Sequence, residues 1–378
     1  MPSFKPKELW PAAPHTLAKI EIVRQYLVRW FQILGRGHAS RRLLYIDGFA
    51  GPGEYTNSKD SSPIASLSAA KDLIYVSPDF RDKEVVFLFV EKEPWCAEHL
   101  RSLVEQKKWP PNIKWDILQG TFDAQVGSIL QQIRLQGEQL APTFAFIDPF
   151  GATGLPFDII KEILSYRSCE VLLNLDSDGV GRLFKAKGPE WNRNHLDTMF
   201  GDQSWQGALN PHASMAELTR QVLTLYKQKL RSIPNVRYVF PFLMGDRHGR
   251  LSYHLVFASQ HRLGLEKMKE AMESVDASGS FSFSDAGAGE VMLPFDFKHP
   301  ESWARKMQSV LAGKSRQYSD FDDYALNETP FKNTKKMLEC LKKQARVEVE
   351  WHGLPAKHGF PEEKIKTIML KRETDQLI

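Results

Sequence analysis

Apolar residues in the first half of the chain alternate between helical spacing and short unbroken runs. From residue 16 to 34 the spacing predicts an amphipathic helix, whose buried face carries Ile20, Val23, Leu27, Trp30, Phe31 and Leu34. Five later runs lack polar alternation, as buried parallel strands do, and they cover residues 43–47, 85–91, 113–118, 143–148 and 171–175. With helices predicted between these runs, the pattern indicates an α/β fold, a doubly wound sheet with right-handed crossovers.

The regular pattern stops after residue 176. Residues around 178–230 are expected to form an insertion, and two later strands, 236–244 and 251–258, have the pattern of a hairpin. A Gly/Ser-rich stretch makes 277–300 the best linker candidate. The sequence therefore predicts a Rossmann-like domain over 1–276 and a smaller domain over 301–378.

The smaller domain has the pattern that ends a winged helix. Thr329 and Pro330 are predicted to open a helix with one apolar stripe, formed by Phe331, the Thr334 methyl group, Leu338, Leu341 and Ala345. An alternating strand over 346–351, a loop over 353–361 and a strand over 364–370 follow. We expect a winged-helix-like domain.

Composition narrows the class of protein. Hydrophobic residues make up 42% and charged residues 25% of the chain, which is typical of a folded soluble protein. The longest apolar run, 85–90, is far shorter than a membrane span, and the N-terminus lacks the apolar segment of an export signal. Cys96, Cys169 and Cys340 are scattered, and no histidines have metal-ligand spacing. We expect a cytoplasmic protein without a metal site.

Charge is concentrated near the C-terminus. The whole chain carries only +4, but residues 331–372 hold 11 basic and 5 acidic residues, a local excess of six. Lys332, Lys335 and Lys336 lie off the predicted apolar stripe and are candidate phosphate contacts. This pattern favours DNA or RNA as a partner; a solvated lysine-rich face or a protein-docking surface are the alternatives.

The clearest candidate for chemistry is a glycine-rich turn directly after the first predicted strand. It comprises Asp47, Gly48, Phe49, Ala50, Gly51, Pro52 and Gly53. Glycines let a backbone approach a ligand closely, and a carboxylate at a strand end can hold a cationic or hydroxylic group. A dinucleotide fingerprint would need a third small residue where this chain has Glu54, Tyr55 and Thr56. The turn is similar to the acid-x-Phe-x-Gly-x-Gly loop of class I S-adenosylmethionine-dependent methyltransferases; a plain glycine turn is the alternative.

Acidic residues also follow the next two strands. Glu91 ends the second strand, where an acid can accept hydrogen bonds from both ribose hydroxyls of a nucleoside cofactor. The neighbouring Glu93 competes for this role. After the third strand, where such methyltransferases bind adenine, Phe122 would stack and Asp123 would accept from the exocyclic amine, unless Asp123 is only a helix N-cap.

A fourth motif, Asp148-Pro149-Phe150-Gly151, follows the fourth strand. Its place matches the Asp/Asn-Pro-Pro-aromatic motif of methyltransferases that modify amino groups in nucleic acid. By this similarity Asp148 would accept from the target amine, with Pro149 and Phe150 beside it. Gly151 stands at the usual aromatic position, so a rigid turn closing a buried strand is the alternative.

Together, these motifs and the segment 253–258 resemble the three-Cys-motif partner protein family. The resemblance covers most of the chain, including the C-terminal winged-helix-like region. It implies a class I methyltransferase fold with S-adenosylmethionine as cofactor. It also implies a partner that bears a three-cysteine motif and is similar to radical S-adenosylmethionine enzymes.

Two functions remain open at this point. The first is an S-adenosylmethionine-dependent methyltransferase that acts on DNA or RNA, with Asp148 on the acceptor side of the site. The second is a non-catalytic scaffold with a methyltransferase-like fold, which uses its basic C-terminal domain to bring a partner enzyme to nucleic acid. A nucleotide-processing enzyme of another kind is less supported, because no acidic metal cluster is visible.

Overall fold

The computed structural model describes residues 8–35, 40–77, 80, 82–186, 190–245, 252–276, 282–284, 300–356 and 358–372. Contacts divide the chain into two compact units. Within the described part, the first unit contains residues 8–276 and 282–284, and the second begins at residue 300. The predicted linker, 277–300, lies outside the described residues except for 282–284 and 300. The predicted hairpin turn, 245–249, also lies outside them except for Gly245.

A mixed eight-stranded sheet forms the centre of the first unit, with strand order β3-β2-β1-β4-β5-β7-β6-β8. The strands are β1 Arg42–Asp47, β2 Glu84–Glu91, β3 Ile113–Gln119, β4 Thr143–Ile147, β5 Cys169–Leu175, β6 Tyr238–Gly245, β7 Ser252–Ser259 and β8 Ser282–Ser284. Strands β1 to β5 are parallel, whereas β7 runs antiparallel to β5 and β6. The first seven strands in this order match the Rossmann-like class I methyltransferase fold.

The short strand β8 corrects one detail of the linker prediction. Residues 282–284 pair in parallel with β6, with Leu243 opposite Ser282, so part of the Gly/Ser-rich stretch belongs to the sheet. Strands pair through backbone hydrogen bonds, which need no particular side chain. Composition alone therefore could not indicate that residues 282–284 pair with β6.

Helices connect the strands of the first unit. They are α1 Pro14–Gly35, α2 Ser62–Val76, α3 Pro94–Glu105, α4 Phe122–Leu135, α5 Phe157–Ser165, α6 Ser177–Lys185, α7 Glu190–Phe200, α8 Trp205–Ala208, α9 Met215–Arg231 and α10 Arg262–Glu273. Helices α6 to α9 occupy the segment predicted as an insertion. Its first part, which lacks clear periodicity in sequence, contains the helices α6, α7 and α8, and the described residues 186 and 201–204 between them are not helical.

Helix α1 crosses one face of the sheet, and aromatic side chains hold it there. The Tyr26 ring packs edge-on against Phe144 at 4.8 Å and Phe257 at 5.3 Å, between ring centroids. The Tyr26 hydroxyl donates to the fully buried Glu170, which also accepts from the Ser259 hydroxyl at 2.6 Å. Because a buried carboxylate must have its hydrogen bonds satisfied, this network fixes α1 relative to β5 and β7.

The second unit combines three helices with a small antiparallel sheet. In chain order its elements are α11 Pro300–Leu311, β9 Ser315–Arg316, α12 Tyr318–Glu328, α13 Lys335–Lys343, β10 Val347–Trp351 and β11 Ile365–Leu370. The sheet order is β10-β11-β9, and the residues enclosed by these elements include Met307, Phe321, Leu338 and Ile368. The expected ending of helix, strand, loop and strand is confirmed.

The start of the last helix was predicted wrongly. Thr329 closes α12 instead of opening α13: its hydroxyl donates to the Ala325 carbonyl at 2.6 Å and accepts from the Phe331 N–H at 3.1 Å. Helix α13 begins only at Lys335, so Phe331 and Lys332 precede it. Ala345 follows the helix in a left-handed conformation, with φ 55°.

Candidate functional site

A cavity of about 920 Å³ lies at the carboxyl ends of β1 to β4, where doubly wound sheets bind ligands. Its volume falls in the range of pockets that enclose a nucleoside-sized molecule. The predicted residues that line it are Gly48, Phe49, Gly51, Glu91, Phe122, Asp123, Pro149 and Phe150. Four of the motifs therefore converge on one cavity.

The glycine-rich turn forms one wall of the cavity. The Gly48 N–H donates to the Phe146 carbonyl at 2.8 Å and the Ala50 N–H to the Val90 carbonyl at 3.0 Å, which ties the turn to β4 and β2. Gly51 has a φ of 66°, and nothing lies within 4 Å of where its Cβ would be, so the backbone is open on that side. Ala50 and Gly53 are buried and shape the turn instead of lining the cavity.

Gly48 and Gly53 are required for packing. A Cβ on Gly48 would lie 2.7 Å from a Phe122 ring carbon. A Cβ on Gly53 would lie 2.7 Å from a Leu100 methyl carbon, and its φ of 91° is itself left-handed. These two glycines let α4 and α3 approach the turn closely.

Glu91 places its carboxylate in the cavity wall beside the turn. Its Oε2 accepts from the Gly51 N–H at 2.8 Å and its Oε1 from the Glu93 N–H at 2.7 Å. A carboxylate has about four lone-pair sites, so acceptor capacity remains for two hydroxyl groups. Glu93 also lines the cavity, but its side chain is exposed and it makes no capping bond to α3.

Residues before and within the first turn of α4 line the cavity after β3. Phe122 is only 3% exposed and packs against Phe49, with 6.1 Å between ring centroids and 30° between the ring planes, so its ring is held within the core. Asp123 is exposed in the first turn of α4. The N-cap of this helix is Thr121, so the alternative role of Asp123 as the N-cap is wrong.

Asp47 ends β1 and is fully buried. Its carboxylate accepts from the Phe49 N–H and the Tyr45 hydroxyl, each at 3.4 Å, and from Ser62. Burial raises the pKa of Asp47 from 3.8 to about 7, and the nearby negative charge of Asp148 adds to this effect. Asp47 therefore lies beneath the turn and does not line the cavity.

The structure places Asp148 differently from the two residues that follow it. Pro149 and Phe150 line the cavity, and the Phe150 side chain is 79% exposed. The Asp148 carboxylate instead binds the Lys19 ammonium of α1, with Nζ 2.5 Å from Oδ2 and 2.8 Å from Oδ1. The Asn174 amide of β5 donates to Asp148 Oδ1 at 2.7 Å.

Sequence reasoning missed Lys19 and Asn174, although both interrupt apolar patterns. Lys19 is four residues before Val23 on the buried stripe of α1, and Asn174 stands inside the apolar strand β5. A buried lysine or asparagine needs a partner, so each was a detectable signal.

Helix α7 also contributes residues that the sequence analysis missed, namely His195, Thr198 and Met199 in the cavity wall. No local pattern marks these side chains, because their position depends on the path of the chain between β5 and β6. His195 packs edge-on against Trp191, with 4.2 Å between ring centroids, and Trp191 is 56% exposed. The rim on this side of the cavity is therefore aromatic.

Solved structures with related architecture include methyltransferases. An O-methyltransferase from Bacillus cereus in complex with SAH aligns with 62% of this chain and 80% of its own, at 14% identity and a TM-score of 0.34. Trm1 from Pyrococcus horikoshii with S-adenosyl-L-methionine aligns with 96% and 95%, at 10% identity and a TM-score of 0.36. A Legionella pneumophila protein aligns with 72% and 95%, at 14% identity and a TM-score of 0.40.

At these TM-scores the fold assignment depends on the strand order of the chain itself. No protein-family model matches the sequence, and no curated protein matches it. In the described part of the chain, no helix is long and apolar enough to cross a membrane. Within the same residues, no three His, Cys, Asp or Glu side chains come together as metal ligands would.

Proposed function

We propose that this protein is an S-adenosylmethionine-dependent methyltransferase that modifies nucleic acid. The observation that carries the proposal is the Glu91 carboxylate, held by the Gly51 N–H at 2.8 Å in the wall of a nucleoside-sized cavity. This arrangement brings an open glycine backbone and a ribose-binding acid together at the sheet edge.

The residues around the cavity fit such a cofactor. Glu91 would hold the ribose hydroxyls, and Asp123 would accept from the adenine amine beside Phe122. The buried Asp47 would stabilise the positive charge of the methionine end from beneath the turn. When bound, the cofactor supplies an already activated methyl group, so the protein's task is to align the acceptor and to take up its proton.

The surroundings of the cavity support a nucleobase as acceptor. Phe150 is the most exposed large aromatic residue on the cavity wall and offers a flat face on which a flipped base can stack. Stacking on Phe150 would replace stacking at the usual motif position, which is Gly151.

We further propose that the second unit is a winged helix that contacts phosphates. The order of helix, strand, two helices and two strands supports this assignment. Lys335 and Lys336 are exposed in the first turn of α13, where the helix dipole is already positive and no acidic residue offsets it. Lys332 is half-buried before the helix and would contribute less. The combined positive potential favours an anionic partner.

Incubation with methyl-labelled S-adenosylmethionine, followed by separation of DNA, RNA and protein pools, tests this function. Label in a nucleic-acid pool is the expected result. Calorimetric titration with S-adenosylhomocysteine should show binding that the Glu91→Ala variant weakens. Absence of both heat and thermal shift at millimolar ligand would disprove the cofactor assignment.

The second candidate function is a scaffold. The chain has Phe150 and Gly151 where the amino-methyltransferase motif has its second proline and its aromatic residue, and this departure favours a chain that does not transfer methyl groups. Such a scaffold would bring a radical S-adenosylmethionine-like partner with a three-cysteine motif to DNA or RNA. Cofactor binding and nucleic-acid binding without label transfer, with or without that partner, would support this candidate.

A further inference from the structure

We propose that Lys19 and Asn174 complete the acceptor side of the site and restrict it to a primary amino group. Lys19 would hold the Asp148 carboxylate in place, and Asn174 would accept an N–H of the substrate. This inference rests on the proposed methyltransferase function and names the chemical group that receives the methyl.

The three side chains meet at the carboxyl edge of the sheet. Asp148 directly follows β4, and Ile147, the last residue of β4, pairs with Leu173, so Asn174 lies beside Asp148 at the next position. Lys19 reaches the same point from α1, which is fixed across this face of the sheet. The next residue along the chain, Pro149, lines the cavity, whereas the three side chains themselves are not part of its lining.

Hydrogen bonds within the cluster leave acceptors open. Asp148 Oδ1 accepts from both Lys19 and Asn174, and Oδ2 contacts Lys19, so three of about four lone-pair sites are used. Because a carboxylate only accepts, the Asn174 nitrogen must face Asp148, and its Oδ1 points away. Asn174 is 8% exposed, and among the described residues its Oδ1 is buried with no hydrogen-bond partner. Because buried polar atoms are normally hydrogen-bonded, we expect Asn174 Oδ1 to accept a hydrogen bond from a bound molecule.

An amino group fits the open acceptors better than an oxygen acceptor does. Its two N–H groups can donate to Asn174 Oδ1 and to the remaining lone pair of Asp148, whose side chain is 18% exposed. The nitrogen lone pair then attacks the methyl carbon, and the carbon–sulfur bond breaks with its electron pair remaining on sulfur. The surplus proton leaves the nitrogen for Asp148 or water. A phosphate, carboxylate or carbonyl would leave Asn174 Oδ1 unpaired and would be repelled by Asp148.

Matched homopolymers test the acceptor group. Labelled S-adenosylmethionine is incubated with poly(A) and poly(I), and with poly(C) and poly(U), in ribo and deoxyribo forms. Within each pair the polymers differ chiefly by replacement of the amino group with a carbonyl. We expect label in at least one amino-bearing polymer and only background in its carbonyl counterpart. Equal label in both members of a pair would overturn the inference and leave the methyltransferase function standing. No label in any polymer, with the cofactor bound, would overturn the proposed function and the inference with it.

Substitution of Asn174 tests its part. Asn174→Leu keeps the volume but removes the acceptor, so kcat should fall about 10- to 100-fold with little change in cofactor affinity. The matched control is Asn112→Leu at the opposite, amino edge of the sheet, where the Asn112 amide donates to the Lys83 carbonyl. Equal kcat in the Asn174→Leu variant and the wild type would refute the role of Asn174.

A positioning role for Lys19 predicts a loss of kcat that a conservative substitution partly restores. Lys19→Met removes the cation that binds the Asp148 carboxylate, and the Tyr253 ring loses the ammonium 5.4 Å from its centroid. The kcat should therefore fall with little change in cofactor affinity, and Lys19→Arg, which returns a cation to Asp148, should recover part of it.

A second variant separates positioning from folding. Lys19→Met alone should lower stability by stranding a carboxylate, and Lys19→Met/Asp148→Asn should regain stability without regaining transfer. The buried Lys83, replaced by Met at the amino edge of the sheet, controls for loss of a buried lysine. Unchanged kcat in Lys19→Met, or full transfer by the double variant, would overturn the positioning role.

Discussion

Replacement of Asp47 by asparagine should change how the stability of the first unit depends on pH. Asp47 is fully buried, and the pKa of its carboxyl is raised from 3.8 to about 7, chiefly by loss of hydration. Between these two values the folded protein binds a proton that the unfolded chain has released. The free energy of unfolding therefore falls as pH rises through this window, and the Asp47→Asn variant lacks this contribution.

The size of the effect follows from the two pKa values. The interval from 3.8 to about 7 corresponds to about 4 kcal/mol, the cost of holding Asp47 ionised above pH 7. Relative to the wild type, the variant should gain less than about 1 kcal/mol at pH 4, about 1–2 kcal/mol at pH 5 and about 4 kcal/mol at pH 8. Asparagine also changes the bonds to Phe49, Tyr45 and Ser62, but that change adds nearly the same amount at every pH.

Urea titrations of both proteins at 25 °C, repeated from pH 4 to pH 8, measure the difference between their free energies of unfolding. Subtraction of the wild-type value at each pH cancels all other titrating groups, because the two proteins share them. A difference that stays constant from pH 4 to pH 8 would refute the assignment of a raised pKa to Asp47. If the free energy of unfolding of the variant instead falls relative to that of the wild type as pH rises, Asp47 is stabilised as an anion.

Three further predictions concern ligands. Glu91→Ala should weaken the binding of S-adenosylhomocysteine, measured by calorimetry, by about 1–3 kcal/mol. Glu93→Ala should change this affinity little. The opposite result would assign the ribose contact to Glu93. Phe150→Ala should weaken binding of single-stranded oligonucleotides by about 1–3 kcal/mol with cofactor affinity intact, and no change would exclude stacking. Lys335→Gln/Lys336→Gln should reduce the salt-dependence slope of duplex binding by about two, and an unchanged slope would indicate a protein-docking surface.

Much of the sheet could be predicted because its signal is local. A parallel strand buried on both faces must be apolar throughout, so the five runs matched β1 to β5 to within about two residues at each end. The position of Glu91 followed from the same logic, since parallel strands end at one edge and a ligand-binding acid must stand there. Where strands add through backbone pairing alone, as β8 does, the sequence carries no such mark.

The C-terminal unit shows how a local signal can mislead. Thr329 followed by Pro330 has the pattern of a helix start. In the structure, however, the Thr329 hydroxyl donates a hydrogen bond to the Ala325 carbonyl, four residues earlier in α12. The same residue types serve at helix starts and in the turns that follow helix ends, since both use a hydroxyl to satisfy backbone groups. Only the packing of the three helices decides between these uses.

The sequence by itself determined which residues could meet a cofactor, because each motif stands at the end of its own strand. Tertiary structure alone decided which side chains surround Asp148. Lys19 and Asp148 are 129 positions apart, and their contact exists because Tyr26 and Glu170 anchor α1 across the sheet. No spacing in the sequence encodes that contact, since the energy that places Lys19 is the burial of an aromatic helix face several turns away.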